Sequence, residues 1–244
     1  MDIRTNTDAI RTDGSATIAA QLRLGLPKGR MQDGVLRLLA DAGIAVTSGD
    51  RDYRASVSLP ACEVKLLKPQ NIVEMLDAGT RDVGFAGADW VEELGADLVE
   101  VLDTGLDPVR VVAAAPAALL EDGVLPARDL VVASEYVGLT RRWLAGLDRD
   151  AQLVRSYGAT EVFPPEDADC IVDNTATGAT LRANGLVIMD ELMRSSTRLY
   201  ASPQALADPT KRQRIEDLRL VLASVLEARR RVMVEVNAPA GRLD

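Results

Sequence analysis

Short apolar runs alternate with amphipathic segments along most of the chain. Residues 22–26 alternate as a strand would, and the residues after them repeat at helical spacing up to Gly43, namely Met31, Val35, Leu38, Leu39 and Ala42. The same succession of strand and helix recurs to about residue 201. This pattern predicts an α/β fold.

Further elements follow from the same reasoning. Strands are predicted at 44–46, 53–57, 63–67, 82–85, 98–102, 109–115, 130–133, 153–154, 170–172, 186–189, 196–201 and 232–236. Helices are predicted from Pro69 to Gly79, at 88–94, at 140–147 and at 181–184. A last, long helix is predicted to start at Pro209 behind the capping residue Asp208.

The predicted elements fall into two similar halves, which predicts two lobes with a ligand cleft between them. Residues 22–105 form lobe I and residues 106–195 form lobe II. Residues 1–21 are expected to be a flexible extension. Residues 196–244 are expected to supply a return strand, the long helix and a C-terminal strand that packs back on lobe I.

The segment 169–181 is the most informative stretch, because it predicts a strand, a tight loop and the start of a helix. Backbone N–H groups in such a loop converge where a phosphate is held, and threonine hydroxyls add donors. The acid at the start of the loop would accept hydrogen bonds from sugar hydroxyls or position a magnesium-bound phosphate. The candidate residues are Asp173, Asn174, Thr175, Ala176, Thr177, Gly178, Ala179 and Thr180. An ordinary capped turn is the alternative, at about equal weight.

A basic turn lies between the first predicted strand and its helix. Lys28 and Arg30 stand where the helix begins, although cations oppose the helix dipole there. A bound anion would explain them, and a solvated helix start is the alternative.

Composition narrows the possible functions. The 244 residues carry a net charge of −9 and only 3% aromatic residues, which argues against a nucleic-acid surface. The absence of histidine excludes histidine-based triads, zinc ligands and general bases. Cys62 and Cys170 are expected to be buried free thiols. No apolar run is long enough to span a membrane, and no secretory signal precedes the first strand, so the cytoplasm is expected.

Several motifs, in order and spacing, resemble the ATP phosphoribosyltransferases that open histidine biosynthesis. The matching segments are LPKGR at 26–30, LLKPQNI at 66–72, DVGFAGAD at 82–89, VASEY at 132–136, GATE at 158–161 and ADCIVDNTATGATLRANGL at 168–186. The resemblance extends over residues 22–239. It implies two periplasmic-binding-protein-like lobes of type II, with the active site in the cleft between them.

The resemblance also implies a reaction and roles for residues. N1 of the ATP adenine would attack C1 of phosphoribosyl pyrophosphate (PRPP), and magnesium pyrophosphate would leave. Residues 173–180 would bind PRPP, with Asp173 on the ribose hydroxyls. The ATP-binding candidates are Lys28, Arg30, Lys68, Ser134, Tyr136 and Glu161. Mg²⁺ would be carried mainly by the substrate phosphates, and no protein residue is assigned firmly as its ligand. No residue is assigned as general acid or base, because adenine N1 is already unprotonated at neutral pH.

The chain departs from the family pattern at the nucleotide side. Lys68 and Asn71 stand where the family usually has Arg and Asp, and lysine cannot make a bidentate guanidinium contact. Ser134 and Val137 replace the commoner Thr and Pro. These differences bear on nucleotide affinity more than on the fold.

The resemblance further implies a homo-oligomer and a regulatory mode. The family's long form adds a histidine-binding domain after a run like residues 232–239, and this chain stops at Asp244. It is therefore expected to lack that domain and to resemble either a shortened chain or the short form. The short form works with a regulatory partner similar to histidyl-tRNA synthetase.

Two other functions remain open from the sequence. A non-catalytic, two-lobed small-molecule sensor shares the predicted fold, but it needs no loop like 173–180. A phosphoribosyltransferase acting on another heterocycle is the third possibility, and only Lys68 and Asn71 favour it.

Overall fold

The computed structural model describes residues 21–47, 54–147 and 150–232. In chain order the strands are β1 (Leu22–Pro27), β2 (Val46–Thr47), β3 (Arg54–Val57), β4 (Cys62–Leu67), β5 (Val83–Gly87), β6 (Val99–Pro116), β7 (Leu130–Ser134), β8 (Ala151–Arg155), β9 (Cys170–Thr175) and β10 (Leu186–Ala201). The helices are α1 (Gln32–Asp41), α2 (Pro69–Asp77), α3 (Ala88–Leu94), α4 (Val137–Gly146), α5 (Ala179–Ala183), α6 (Pro203–Ala207) and α7 (Pro209–Arg229). The predicted α/β class is confirmed.

The strands form one continuous sheet with the order β2-β3-β4-β1-β5-β10-β6-β9-β7-β8. In the first lobe, β4, β1 and β5 are parallel neighbours, and α1 and α7 pack on their leucine-rich face. In the second lobe, β9, β7 and β8 are parallel neighbours that support α4 and α5. The predicted arrangement of two α/β lobes is confirmed.

Two long antiparallel strands, β6 and β10, pass from one lobe into the other. The sequence predicted a pair of short strands in place of each one, and the predicted lobe boundaries at 105/106 and 195/196 fall inside them. The reason is the irregular β6–β10 register, which shifts at several points, including between Ser195 and Thr197. Each shift breaks the alternation of apolar and polar residues on which the sequence argument relied.

The ends of the chain are described in part. Pro209 begins the long helix as predicted, and the Asp208 carboxylate accepts hydrogen bonds from the N–H groups of Thr210 and Lys211, at 2.8 and 3.2 Å. Cys170 is buried and Cys62 is half-buried, and both are free thiols. The predicted extension at 1–21 and the strand at 232–236 lie almost wholly outside the described residues. Among the described residues, no helix is long and apolar enough to cross a membrane.

One buried carboxylate joins the first strand, the fifth strand and the last helix of the first lobe. Asp82 accepts hydrogen bonds from the guanidinium of Arg23, at 2.7 and 3.1 Å, and from the ammonium of Lys211 at 2.9 Å. Its side chain is 1% exposed. Burial by itself raises the pKa of Asp82, but the bonds from Arg23 and Lys211 outweigh burial and hold this pKa below its ordinary value.

We expect Asp82→Asn to lower the free energy of unfolding by about 3 kcal/mol, because it leaves two cations facing a neutral buried group. Asp41→Asn is the matched control, since Asp41 also bonds an arginine of α7, Arg229, but at the surface. It should cost less than about 1 kcal/mol. Urea denaturation at pH 7 gives both values.

The same Asp82 variant has an expected pH dependence. The depressed pKa means that the ionised carboxylate stabilises the fold above the ordinary Asp pKa and loses this effect as the pH falls. The difference between Asp82→Asn and the parent chain should therefore shrink in acid. Equal losses for the Asp82 and Asp41 variants at pH 7 would contradict the structural role of Asp82.

Candidate active site

The predicted site residues lie where parallel strands of both lobes end, at the cleft between the lobes. This is the edge of a parallel sheet at which open α/β proteins bind ligands. Arg30, from the first lobe, and Asn174, from the second, line the same cavity of about 40 Å³. Such a volume suits water and not a nucleotide, which needs about 300 Å³ or more, so a nucleotide has to lie outside this cavity. We call this cavity the floor of the cleft.

The first lobe contributes the predicted cations. The N–H of Lys28 donates to the carbonyl of Leu67 at 2.7 Å, which sets the turn after β1 beside Lys68 at the start of α2. Lys28 is half-buried, whereas Arg30 and Lys68 are exposed. The turn that carries Lys28 and Arg30 therefore lies beside Lys68, and Arg30 lines the cavity. Asn71, the other departure from the family pattern, bonds Glu74 on the surface of α2 at 3.2 Å.

The second lobe contributes the loop at 173–180, and this loop is held by its own threonines. The N–H of Gly178 donates to the hydroxyl of Thr175 at 2.9 Å, and the N–H of Ala179 donates to the hydroxyl of Thr177 at 3.3 Å. Gly178 has a φ of +73°, and a Cβ there would lie 3.0 Å from the guanidinium of Arg182. The turn therefore requires glycine. Arg182 in turn donates to the carbonyl of Thr177 at 3.0 Å.

Asp173 lies in an acidic environment. It is half-buried at the end of β9, and its carboxylate accepts the N–H of Asn174 at 2.7 Å. Burial, helped by the nearby charges of Glu135 and Glu161, raises the pKa of Asp173 to about 6 against the lowering effect of that hydrogen bond. The ionised form of Asp173 therefore destabilises the fold. A ligand that donates a hydroxyl hydrogen bond or brings a cation would reduce this destabilisation.

Ser134 and Tyr136 are buried, and their hydroxyls are already engaged. Ser134 donates to the carbonyl of Val172 at 2.6 Å and accepts the N–H of Tyr136 at 2.8 Å, which fixes the turn after β7. The Tyr136 hydroxyl donates to Asp89 at 2.6 Å. In this conformation neither hydroxyl is free to bind a ligand, so both side chains shape the cleft from beneath.

Several residues of the cleft are not among the predicted ones. Asp89 and Ser195 are buried at its floor, and Glu135 lies near Asp173. Asp89 and Glu135 stand inside two of the quoted motifs, DVGFAGAD and VASEY, so the motifs contained a signal for them. Ser195 follows an irregular part of β10, and nothing in its local sequence indicates that it reaches the cleft.

The described residues do not form a metal centre of their own. Among residues 21–47, 54–147 and 150–232, no three acidic or cysteine side chains come together in a group that could hold a metal ion.

Comparisons with known proteins agree on one family. The family described as HisG, ATP phosphoribosyltransferase, matches residues 68–224. The ATP phosphoribosyltransferase of Prosthecochloris aestuarii is 39% identical over 228 residues, which are 91% of this chain and 78% of that one. That of Desulforudis audaxviator is 38% identical over 232 residues, covering 92% and 79%.

A solved structure agrees with these sequence matches. A chain of the ATP phosphoribosyl transferase (HisG:HisZ) complex from Thermotoga maritima superposes with a TM-score of 0.76 at 25% identity. The match covers 85% of this chain and all of that one. These similarities favour a phosphoribosyltransferase over the alternative of a non-catalytic sensor.

The environment of Asp173 predicts a pH-dependent stability. Because its pKa is raised to about 6, the folded state is favoured below the ordinary Asp pKa and loses this advantage as the pH rises through about 6. We expect Asp173→Asn to melt at a higher temperature than the parent chain at pH 8, with the gap shrinking towards pH 4.5.

Differential scanning fluorimetry without ligands measures this gap. Asp217→Asn, at an exposed position on α7, is the control and should leave the thermal midpoint unchanged at both pH values. If Asp173→Asn melted at a lower temperature than the parent chain at pH 8, the ionised carboxylate would not be destabilising.

Proposed function

Because the chain belongs to the ATP phosphoribosyltransferase family, we propose that its two lobes divide the substrate-binding work of that reaction. The enzyme transfers the phosphoribosyl group of PRPP to N1 of ATP and releases pyrophosphate, the first step of histidine biosynthesis. The observation that supports this division is that Arg30 of the first lobe and Asn174, at the start of the second lobe's loop, line one cavity.

The loop at 173–180 binds PRPP in this proposal. Its backbone N–H groups and threonine hydroxyls hold the 5′-phosphate, and Asp173 accepts hydrogen bonds from the ribose hydroxyls. Two of those N–H groups now bond Thr175 and Thr177, so the arriving phosphate exchanges these internal bonds for stronger, charge-assisted ones.

The charges on the two rims suit the electron movement of the reaction. The N1 lone pair forms the new bond to C1, while the C1–O bond breaks and its electron pair leaves with pyrophosphate. Positive charge therefore develops on the ribose, near Asp173, Glu135 and Glu161. Negative charge develops on pyrophosphate, which Lys28 and Arg30 neutralise. The side chains act by positioning and electrostatic stabilisation and need no general base.

We assign magnesium to the substrate phosphates. Bound there, Mg²⁺ supplies positive charge that makes pyrophosphate a better leaving group. Asp173 is the side chain best placed to contact such an ion or its water ligands, since it begins the loop that takes the 5′-phosphate. The described residues offer no larger set of ligands.

The nucleotide lies against Lys68, Glu161 and the turn that contains Ser134 and Tyr136. Lys68 provides one exposed ammonium in place of a guanidinium, so it contacts ATP as a point charge. Glu161 lies half-buried on a short 3-10 turn whose preceding residue, Ala159, has a φ of +51°. The charge of Glu161 raises the pKa of Asp173, so the two carboxylates lie near each other.

We also propose how the enzyme is assembled and regulated. The similar Thermotoga maritima chain belongs to a HisG:HisZ complex, which supports a separate regulatory chain for this enzyme as well. The partner that the family resemblance implies is similar to histidyl-tRNA synthetase. Homo-oligomerisation and a cytoplasmic location, where ATP is supplied, complete the proposal.

The first test is turnover by the purified chain. With ATP, PRPP and Mg²⁺ we expect the N1-phosphoribosyl adduct to form, followed by its ultraviolet absorbance. Omission of Mg²⁺ should abolish the signal, because the leaving group then stays fully charged. Reaction with another purine nucleotide but not with ATP would contradict the acceptor. If the chain alone is inactive but binds PRPP, addition of the proposed partner should restore turnover.

The second test addresses the PRPP loop. We expect Gly178→Val and Thr180→Ala to weaken PRPP binding at least 10-fold, the first by straining the turn and the second by removing a hydroxyl donor. Isothermal titration with PRPP and Mg²⁺ measures the dissociation constant.

Gly123→Val is the matched control for this second test. Gly123 also has a positive φ, +82°, in a turn of the second lobe with open space around it and away from the cleft. It should bind PRPP like the parent chain. Normal PRPP binding by both loop variants would refute the assignment of the loop.

A further inference from the structure

Four buried or half-buried side chains at the cleft floor form one hydrogen-bonded network, called here the Asp89 network: Asp89, Tyr136, Asn174 and Ser195. The Asp89 carboxylate accepts the hydroxyl of Tyr136 at 2.6 Å through one oxygen and the hydroxyl of Ser195 at 2.7 Å through the other. The Asn174 amide nitrogen lies 3.0 Å from the Tyr136 oxygen. Asp89, Tyr136 and Ser195 are at most 5% exposed.

The donors and acceptors of the network permit one orientation of the Asn174 amide. A carboxylate only accepts, so the single hydroxyl hydrogen of Tyr136 points at Asp89. Towards Asn174 the Tyr136 oxygen can then only accept, which turns the amide N–H₂ towards it. The other amide hydrogen faces Asp173 at 3.4 Å. Reversing the amide would set its carbonyl oxygen against two acceptors.

The orientation leaves one atom of Asn174 available. Within the described part of the chain, its carbonyl oxygen Oδ1 has no hydrogen-bond partner, although both hydrogens of its amide are engaged. Asn174 is half-buried, lines the cleft cavity and directly follows Asp173 in the loop at 173–180. A ligand hydroxyl is the natural donor to such an acceptor.

The network is anchored in both lobes by a close helix contact. Asp89 lies at the start of α3 in the first lobe, whereas Tyr136 lies just before α4 in the second. The Tyr136 ring stacks on Trp90 with centroids 4.7 Å apart. The Glu93 carboxylate accepts the N–H groups of Gly138 and Leu139 at 2.9 and 2.8 Å, and so caps α4 from the opposite lobe.

Gly138 makes this contact possible. A Cβ at position 138 would lie 2.6 Å from the backbone oxygen of Glu93, closer than any side chain tolerates. The two helices therefore meet through backbone, which holds the Tyr136 hydroxyl at a fixed place relative to Asp89.

We propose that Asp89 is a positioning residue of the reaction: through Tyr136 it orients the Asn174 amide, so that Asn174 Oδ1 accepts a hydroxyl of the bound phosphoribosyl donor. This inference rests on the proposed assignment of the 173–180 loop to PRPP. This role gives the buried Asp89 carboxylate a function beyond accepting the hydrogen bonds of its neighbours. It also explains why residues of both lobes and of β10 converge beneath one loop.

The test compares Asp89→Asn, Tyr136→Phe and Asn174→Ala for PRPP binding and steady-state kinetics. Asp89→Asn replaces one of the two acceptor oxygens, which Tyr136 and Ser195 use separately, with a donor N–H₂ group. Tyr136→Phe keeps the ring and its stacking on Trp90. We expect each variant to weaken PRPP binding about 10-fold, and Asn174→Ala, which lies outside the proposed nucleotide side, to change the KM for ATP less than threefold. If Asp89→Asn does not fold, the result for Tyr136→Phe decides the test.

A double-mutant cycle distinguishes positioning from a purely structural role. If Asp89 acts through Asn174, then Asn174→Ala added to Asp89→Asn should weaken PRPP binding by less than a further twofold. Independent, multiplicative losses would overturn the proposal. Thr104→Val is the control, because it removes another buried hydroxyl bond between β6 and β10, to the carbonyl of Thr197, outside the network. It should leave PRPP binding within twofold.

Gly178→Val separates this inference from the loop assignment. Loss of PRPP binding by Gly178→Val, with normal binding by Asp89→Asn and Tyr136→Phe, overturns the positioning role and leaves the loop assignment intact. Normal binding by both Gly178→Val and Thr180→Ala removes the loop assignment and this inference with it.

Discussion

The hydrogen-bonded pair of β6 and β10 is the constraint on which the rest of the molecule depends. Each strand belongs to both lobes, so the two parallel sheets are joined edge to edge through a shared antiparallel pair. The carboxyl ends of the parallel strands in each lobe consequently open on one cleft. Without that pairing, the basic turn after β1 and the loop after β9 would have no fixed relation to each other.

A second contact further restricts how the two lobes can move about the β6–β10 pair. Helices α3 and α4 meet across the cleft floor, where Glu93 caps the opposite helix and Trp90 stacks on Tyr136. The shared strands and this helix contact hold the lobes at two places. The catalytic groups can then be arranged before substrate arrives, which is the condition for catalysis by positioning and electrostatics.

The arrangement of carboxylates at the cleft lowers the stability of the fold. Asp173 is withdrawn from water beside two further carboxylates, and its raised pKa records the unfavourable interaction. In the proposed reaction, a ribose that becomes positively charged in the transition state reverses the sign of that interaction. The proposed role of the cations in the first lobe is the same for the departing pyrophosphate. On this proposal, turnover offsets the unfavourable interaction that folding imposes on Asp173.

The sequence by itself determined most of the local structure. Alternating apolar runs and helix caps located nearly every strand and helix, because these signals depend on neighbouring residues. The ordered motifs, above all the one at 168–186, located the candidate phosphate loop and the family. Local patterns failed in β6 and β10, where bulges break the alternation between the two cores.

Only the tertiary structure decided which side chains act together. Asp89 and Ser195 are 106 residues apart, and Asp89 and Tyr136 are 47 apart, yet each pair shares a short hydrogen bond. The sequence predicted that Ser134 and Tyr136 belong to the ATP-binding side, and only the structure shows that both hydroxyls are buried and hydrogen-bonded. Spacing along a chain specifies which residues share a helix face or a turn. Contacts between lobes depend on how the sheets join, and no local pattern encodes that.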